Sequence, residues 1–134
     1  MKKFKELTKE DFKKLNLQTL FCGSEFNIII SCQYIQTWEQ LAEVLGNAFQ
    51  FPMRNEGLDG TWDWLTDLSW LGKQDKINIY FYEEQKLLKN NLLLKEQVLN
   101  LFEELVDYWK EGVKNVFIAG KLGVPKCIQI YLVN

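Results

Sequence analysis

Leu58-Asp59-Gly60-Thr61-Trp62-Asp63-Trp64-Leu65-Thr66-Asp67-Leu68-Ser69-Trp70 is the stretch around which the rest of the chain can be read. At about 100° per residue, Leu58, Trp62, Leu65 and Leu68 fall on one side of a helix. Asp59, Asp63 and Asp67 are each four residues from the next, and the same arithmetic crowds them into an arc of roughly 80° on another side. A helix over 58–70, ending near Gly72, is therefore predicted. Like charges at this spacing destabilise a helix by about 0.2–0.5 kcal/mol per pair, and Asp is a poor interior helix former. The positive end of the helix dipole offsets some of this for Asp59, but its effect fades within one turn and leaves Asp67 uncompensated. The stripe thus works slightly against the fold, a conflict of the kind expected at functional sites. An acidic face could serve solubility alone, but such a face normally mixes signs. From Asn55 to Gly72 there are four acids (Glu56, Asp59, Asp63, Asp67) and no base. Three tryptophans crowd one narrow helix, so either Trp64 or Trp70 is expected near the surface, where Trp is enriched at binding hot spots, unless a satellite cluster buries them.

Upstream, Thr37-Trp38-Glu39-Gln40 has the form of a capping box. Trp38, Leu41, Ala42, Leu45 and Phe49 then recur at helical spacing, which predicts a helix over 38–49 that Pro52 prevents from continuing. Phe26-Asn27-Ile28-Ile29-Ile30 reads as a buried strand. Thr8-Lys9-Glu10-Asp11 starts a short basic surface helix over about 8–16. Downstream, Ile77–Tyr82 is a strand, and a long helix over about 94–111 carries Val98, Leu101, Phe102, Leu105, Val106 and Trp109 on one face, with Gly112 as its stop. Val116–Ile118 and Cys127–Val133 read as two closing strands, the last a candidate antiparallel edge. Strands separated by helices favour a largely parallel sheet packed against those helices.

Leu58-Asp59-x-x-Trp62-Asp63-x-Leu65-Thr66 resembles the second-helix signature of the barstar family, intracellular inhibitors of the bacterial ribonuclease barnase. Leu41, Leu45, Phe49 and Pro52 stand where that family has the apolar face of its first helix and the proline ending it. Val98-Leu99-Asn100-Leu101-Phe102-Glu103-Glu104 resembles its later helix, and Gly112 the glycine after it. The resemblance covers roughly 35–112. It implies a small α/β fold with a mainly parallel sheet of three strands plus a possible extra edge strand. Residues 1–134 would form a single domain with a helical extension over about 1–25. By the same resemblance, Asp59 and Asp63 match the inhibitory acidic pair, Glu104 matches a glutamate that adds to the acidic surface, Trp62 matches a core tryptophan and Trp70 another near the helix end. The expected partner-binding set is Asp59, Asp63, Glu104, Asp67, Trp70 and Glu56. In the family such carboxylates occupy a nuclease's phosphate-binding active site. Some features depart from the pattern. Met53-Arg54-Asn55-Glu56-Gly57 is one residue shorter than the family's loop, and Arg54, the only arginine, could pair with Asp59. Gly60 replaces a usual alanine, at up to about 1 kcal/mol of helix stability. Two extra residues precede Gly112, and both chain ends extend beyond the pattern.

Composition excludes several alternatives. At 134 residues, 47% hydrophobic and 25% charged, the chain has the size and balance of one globular domain. A net charge of −2 argues against direct nucleic-acid binding, although residues 1–16 carry six Lys against Glu6, Glu10 and Asp11. With no His, the commonest general base is missing. Gly120-Lys121-Leu122-Gly123 lacks the other parts of a phosphate cradle, and no calcium-loop spacing surrounds Asp59, Asp63 or Glu104. Neither an enzyme nor a cofactor or metal is expected. Cys22, Cys32 and Cys127 form no CxxC pair and read as small buried hydrophobes, and their odd number favours a reducing cytosol. No signal-peptide run and no stretch approaching a membrane span is found, so a cytoplasmic protein is expected. A monomer is favoured. The expected function is an immunity-type inhibitor whose acidic helix blocks the basic active site of a secreted nuclease. The alternative is an interaction module of the same fold that recognises a non-nuclease protein by the same face.

Overall fold

The computed structural model describes residues 3–15, 21–22, 25–53, 57–71, 75–118 and 120–134, with backbone alone at 21–22 and 58–59. Its centre is a five-stranded sheet in the order β1 (Phe4–Leu7), β7 (Cys127–Val133), β4 (Lys76–Tyr82), β3 (Glu25–Ser31) and β2 (Phe21–Cys22). The first four are mutually parallel, and β2 runs antiparallel to β3. In register across the sheet, Phe26, Ile77 and Ile128 form one row, Ile28, Ile79 and Ile130 a second, and Ile30, Phe81 and Leu132 a third. These alternate residues face the core, as the period of two in a strand requires.

Two helices cover that face. α2 (Trp38–Ala48) opens with the predicted capping box, Gln40 N–H donating to Thr37 Oγ1 at 3.2 Å while Thr37 N–H donates to Gln40 Oε1 at 3.1 Å. It buries Leu41, Ala42 and Leu45. α4 (Leu92–Lys110) starts two residues before the predicted 94, because the Asn91 side chain accepts from Leu94 N–H at 3.2 Å and caps it there. It buries Val98, Phe102, Leu105 and Trp109, with Phe81 and Phe102 meeting edge-on at 5.2 Å. A mainly parallel sheet packed against helices is the architecture the sequence implied.

Four expectations need correction. The chain does not begin with a helix: Phe4–Leu7 adds an edge strand beside β7 before α1 (Lys9–Lys14), whose Phe12 lies over the rings of Tyr80 and Tyr82 on the sheet's other face. Lys5 and Glu6 interrupt the apolarity of β1, which an edge position permits. The last strand is no antiparallel edge but an interior parallel strand between β1 and β4, as its apolar residues on both faces require. Val116–Ile118 does not close the main sheet. Phe117–Ile118 (β5) pairs antiparallel with Lys121–Leu122 (β6) in a separate hairpin, where Gly120 takes a φ of 82° that favours glycine. Of the cysteines, Cys32 is buried, which pushes its thiol up to about 12, whereas Cys127 is exposed. The Cys22 side chain lies outside the described residues.

Candidate protein-binding face

The predicted helix over 58–70 ends early. α3 spans Leu58–Leu65, and a single 3-10 turn follows at Ser69–Leu71. Thr66 stops it: its N–H donates to the Trp62 carbonyl at 2.9 Å, and its hydroxyl donates to Trp62 at 2.8 Å and to the Asp63 carbonyl at 3.3 Å. Such back-bonding of a Thr side chain competes with helix continuation. Leu68 then takes a φ of 54°, and the Asp67 carboxylate accepts from Ser69 N–H at 3.1 Å in a side-chain turn. Asp67 therefore does not lie on the same helical face as Asp63. It sits half-buried in the turn after that face.

A helix end leaves four carbonyls without intrahelical partners. Here the last two are held by α4. The indole of buried Trp109 donates to the Leu65 carbonyl at 2.9 Å, and the Tyr108 hydroxyl donates to the Thr66 carbonyl at 3.0 Å. The Tyr108 ring also meets Trp62 edge-on at 6.0 Å. On the opposite flank, Trp64 and Trp70 meet at 5.4 Å and both approach Phe51, while the Trp70 indole donates to the Phe49 carbonyl at 2.8 Å. The three tryptophans thus resolve into one half-buried anchor on α4 and a half-buried satellite cluster. Thr61, Leu65 and Leu68 fill the core beneath.

What this scaffold leaves outward is acidic. Asp63 on α3 and Glu104 on α4 are both exposed, and Glu104 lies one turn before Tyr108 on the same face of α4. Among the described residues, no lysine forms an ion pair with Asp63, Asp67 or Glu104. Lys9 and Lys86 pair with Glu83, Lys95 with Glu84, Lys76 with Glu25, Lys14 with Asp11 and Lys114 with Glu111. Lys3 pairs with Asp107, at the border of the face, one turn beyond Glu104. Asp59 occupies the first turn of α3, where its backbone is described and its side chain is not. Glu56 and Arg54 lie outside the described residues, and with them the question of an Arg54–Asp59 pair. Trp70, expected to contribute contact area, is held mostly by its own chain.

Periodicity does not mark Tyr108, Trp109 or Thr66 as part of the site. Their one legible signal is the aromatic pair closing the apolar face of α4, since a hydrogen bond to a carbonyl on another helix has no local pattern. An apolar hollow of about 450 Å³ lies along β7 and α4 and is lined by Asp75, Val106, Lys110, Pro125, Lys126, Cys127 and Ile128, with none of the three acids on its wall. Among the described residues, no three His, Cys, Asp or Glu side chains gather in a metal-binding group. No described helix is long and apolar enough to cross a membrane.

A family model described as Barstar (barnase inhibitor) matches residues 26–119, from β3 through β5, and takes in α2, α3, β4 and α4. No curated protein matches the chain, and no solved structure does. The matched range contains Asp59, Asp63 and Glu104, and ends before β7.

Proposed function

Because the chain belongs to the barstar family, we propose that it is an immunity-type inhibitor that occupies the basic active site of a secreted nuclease with the acidic surface of α3 and α4. The family is one of ribonuclease-inhibitor-type binding proteins, and the role assigned to this chain is binding rather than catalysis, in the cytoplasm of the cell that makes the nuclease. One observation carries the reading: Asp63 and Glu104 stand exposed with no internal cation among the described residues, in a chain that pairs six of its acids with lysines elsewhere.

The physical consequence follows from solvation. Carboxylates held in water keep their full hydration and repel one another mildly, so they gain most from a partner that brings cations. Arg and Lys that bind nucleic-acid phosphates in a nuclease are such cations, and a carboxylate substitutes for a phosphate oxygen as acceptor. The acidic field also raises the association rate of a basic partner before contact is made. Asp59, in the first turn of α3, is assigned to the same surface as Asp63. Asp67 is assigned to its margin, Trp70 backs it from the satellite cluster, and Glu56, outside the described residues, is proposed as a further contact on its charge alone. Desolvating these charges is offset only if each finds a partner in the complex, which makes the surface selective for a matching arrangement of cations.

The test is co-purification of the chain from its native cell, followed by a ribonuclease assay of the bound partner with and without the chain. The expected result is a basic nuclease whose activity is suppressed at equal stoichiometry. A partner with no nuclease activity would sink the inhibitory reading in favour of a different binding role.

A further inference from the structure

α3 has only eight residues, and Gly57 supplies no side-chain cap at its start. An isolated helix shorter than about 12–15 residues is marginal in water, so the direction in which α3 presents Asp63 depends on what holds its ends. At its C-terminal end, Trp109 reaches the Leu65 carbonyl from the buried side and Tyr108 reaches the Thr66 carbonyl from the half-buried side. Tyr108 touches both halves of the acidic face. Its ring packs on Trp62, the neighbour of Asp63, and its backbone lies one turn from Glu104. Burial first, and the Asp67 carboxylate second, push its phenol above the ordinary value of 10.0, so the hydroxyl keeps its proton and stays a donor at neutral pH.

We propose that Tyr108 is a positioning residue: its hydrogen bond to Thr66 and its ring contact with Trp62 set the spacing between Asp63 and Glu104, and with it the spacing of the cations a partner must bring. The consequence for binding rests on the inhibitory reading. The consequence within the free protein does not. Tyr108→Phe removes the hydroxyl and keeps the ring. In the free protein, amide hydrogen exchange at Thr66 and Leu68, which close the end of α3, is expected to quicken between about twofold and tenfold, the range that follows from loss of one hydrogen bond. Affinity for the co-purified nuclease is expected to weaken within the same range of about twofold to tenfold. A purely structural role would leave that loss the same in every background. A positioning role makes it shrink below about twofold once Asp63→Ala has removed the group being positioned. Unchanged exchange in Tyr108→Phe overturns the proposal, and so does an affinity loss that persists undiminished beside Asp63→Ala. A wild-type chain that binds no nuclease overturns the inhibitory reading instead, and the exchange result still decides the role of Tyr108.

Discussion

Two acidic regions of this molecule are treated in opposite ways. At the turn after β4, Glu83 adopts a left-handed φ of 58° and accepts from Lys86 at 2.6 Å and from Lys9 at 3.1 Å. Beside it Glu84 pairs with Lys95 at 2.5 Å and accepts from the Asn134 side chain at 3.3 Å. This cluster ties α1, the end of β4, α4 and the chain's last residue together. At the face formed by α3 and α4, Asp63 and Glu104 have no such partners among the described residues, although the chain carries sixteen lysines and arginines in all. The contrast teaches that the bare acids are not explained by a shortage of cations. Among the described residues, lysines pair within the structural cluster and with Asp107 at the border, and none pairs with Asp63 or Glu104.

Charge reversal gives the largest expected effect. Asp63→Lys places a like charge against a basic partner, which costs several kcal/mol at an interface, and should abolish co-purification while the free chain keeps its fold. At Glu83 the corresponding reversal would repel Lys9 and Lys86 and act on the melting temperature instead. Next comes Trp109→Phe, which leaves the Leu65 carbonyl without its donor in a buried place. Denaturant melts should show a loss of about 1–3 kcal/mol for the unsatisfied group, with a further loss for the space vacated.

A smaller effect is expected from pH. Hydrogen bonds from Lys86 first and Lys9 second hold the Glu83 carboxyl below its ordinary value of 4.5. A depressed folded-state pKa contributes stability that is present above the unfolded value and lost as pH falls through the folded one. Thermal melts should therefore show stability declining as pH drops below 4.5, and Glu83→Gln should flatten that decline. Salt gives the gentlest contrast. Raising it to 1 M shortens the screening length to about 3 Å, so stopped-flow association with the nuclease should slow, while the partly buried Glu84–Lys95 pair loses less.

Much of this architecture could be read from local pattern. The capping box at Thr37, the apolar stripe of α4 and the β-branched runs of β3, β4 and β7 each agree with the environment they occupy, which is why they were legible. What escaped depends on tertiary contact. Phe4–Leu7 carries two charged residues in four and becomes a strand only because β7 offers it an edge. The segment over 58–70 has helical spacing throughout, yet Thr66 and Leu68 leave the helix where Tyr108 and Trp109 take over its carbonyls. The same holds for the site. The exposure of Asp63 and Glu104 follows from helix periodicity, whereas the displacement of Asp67 into a turn and the capture of the Trp70 indole by Phe49 do not.

The most direct measurement is the calorimetric affinity of the co-purified nuclease for the wild-type chain and for Asp63→Ala. Truncating one member of a buried charge pair weakens binding by about 2–5 kcal/mol, a range general to such pairs and one to which the barnase–barstar complex itself contributes. A loss of that size with an unaltered melting temperature is predicted. A loss of less than about tenfold, or 1.4 kcal/mol, would contradict the assignment of the α3–α4 surface as the inhibitory face.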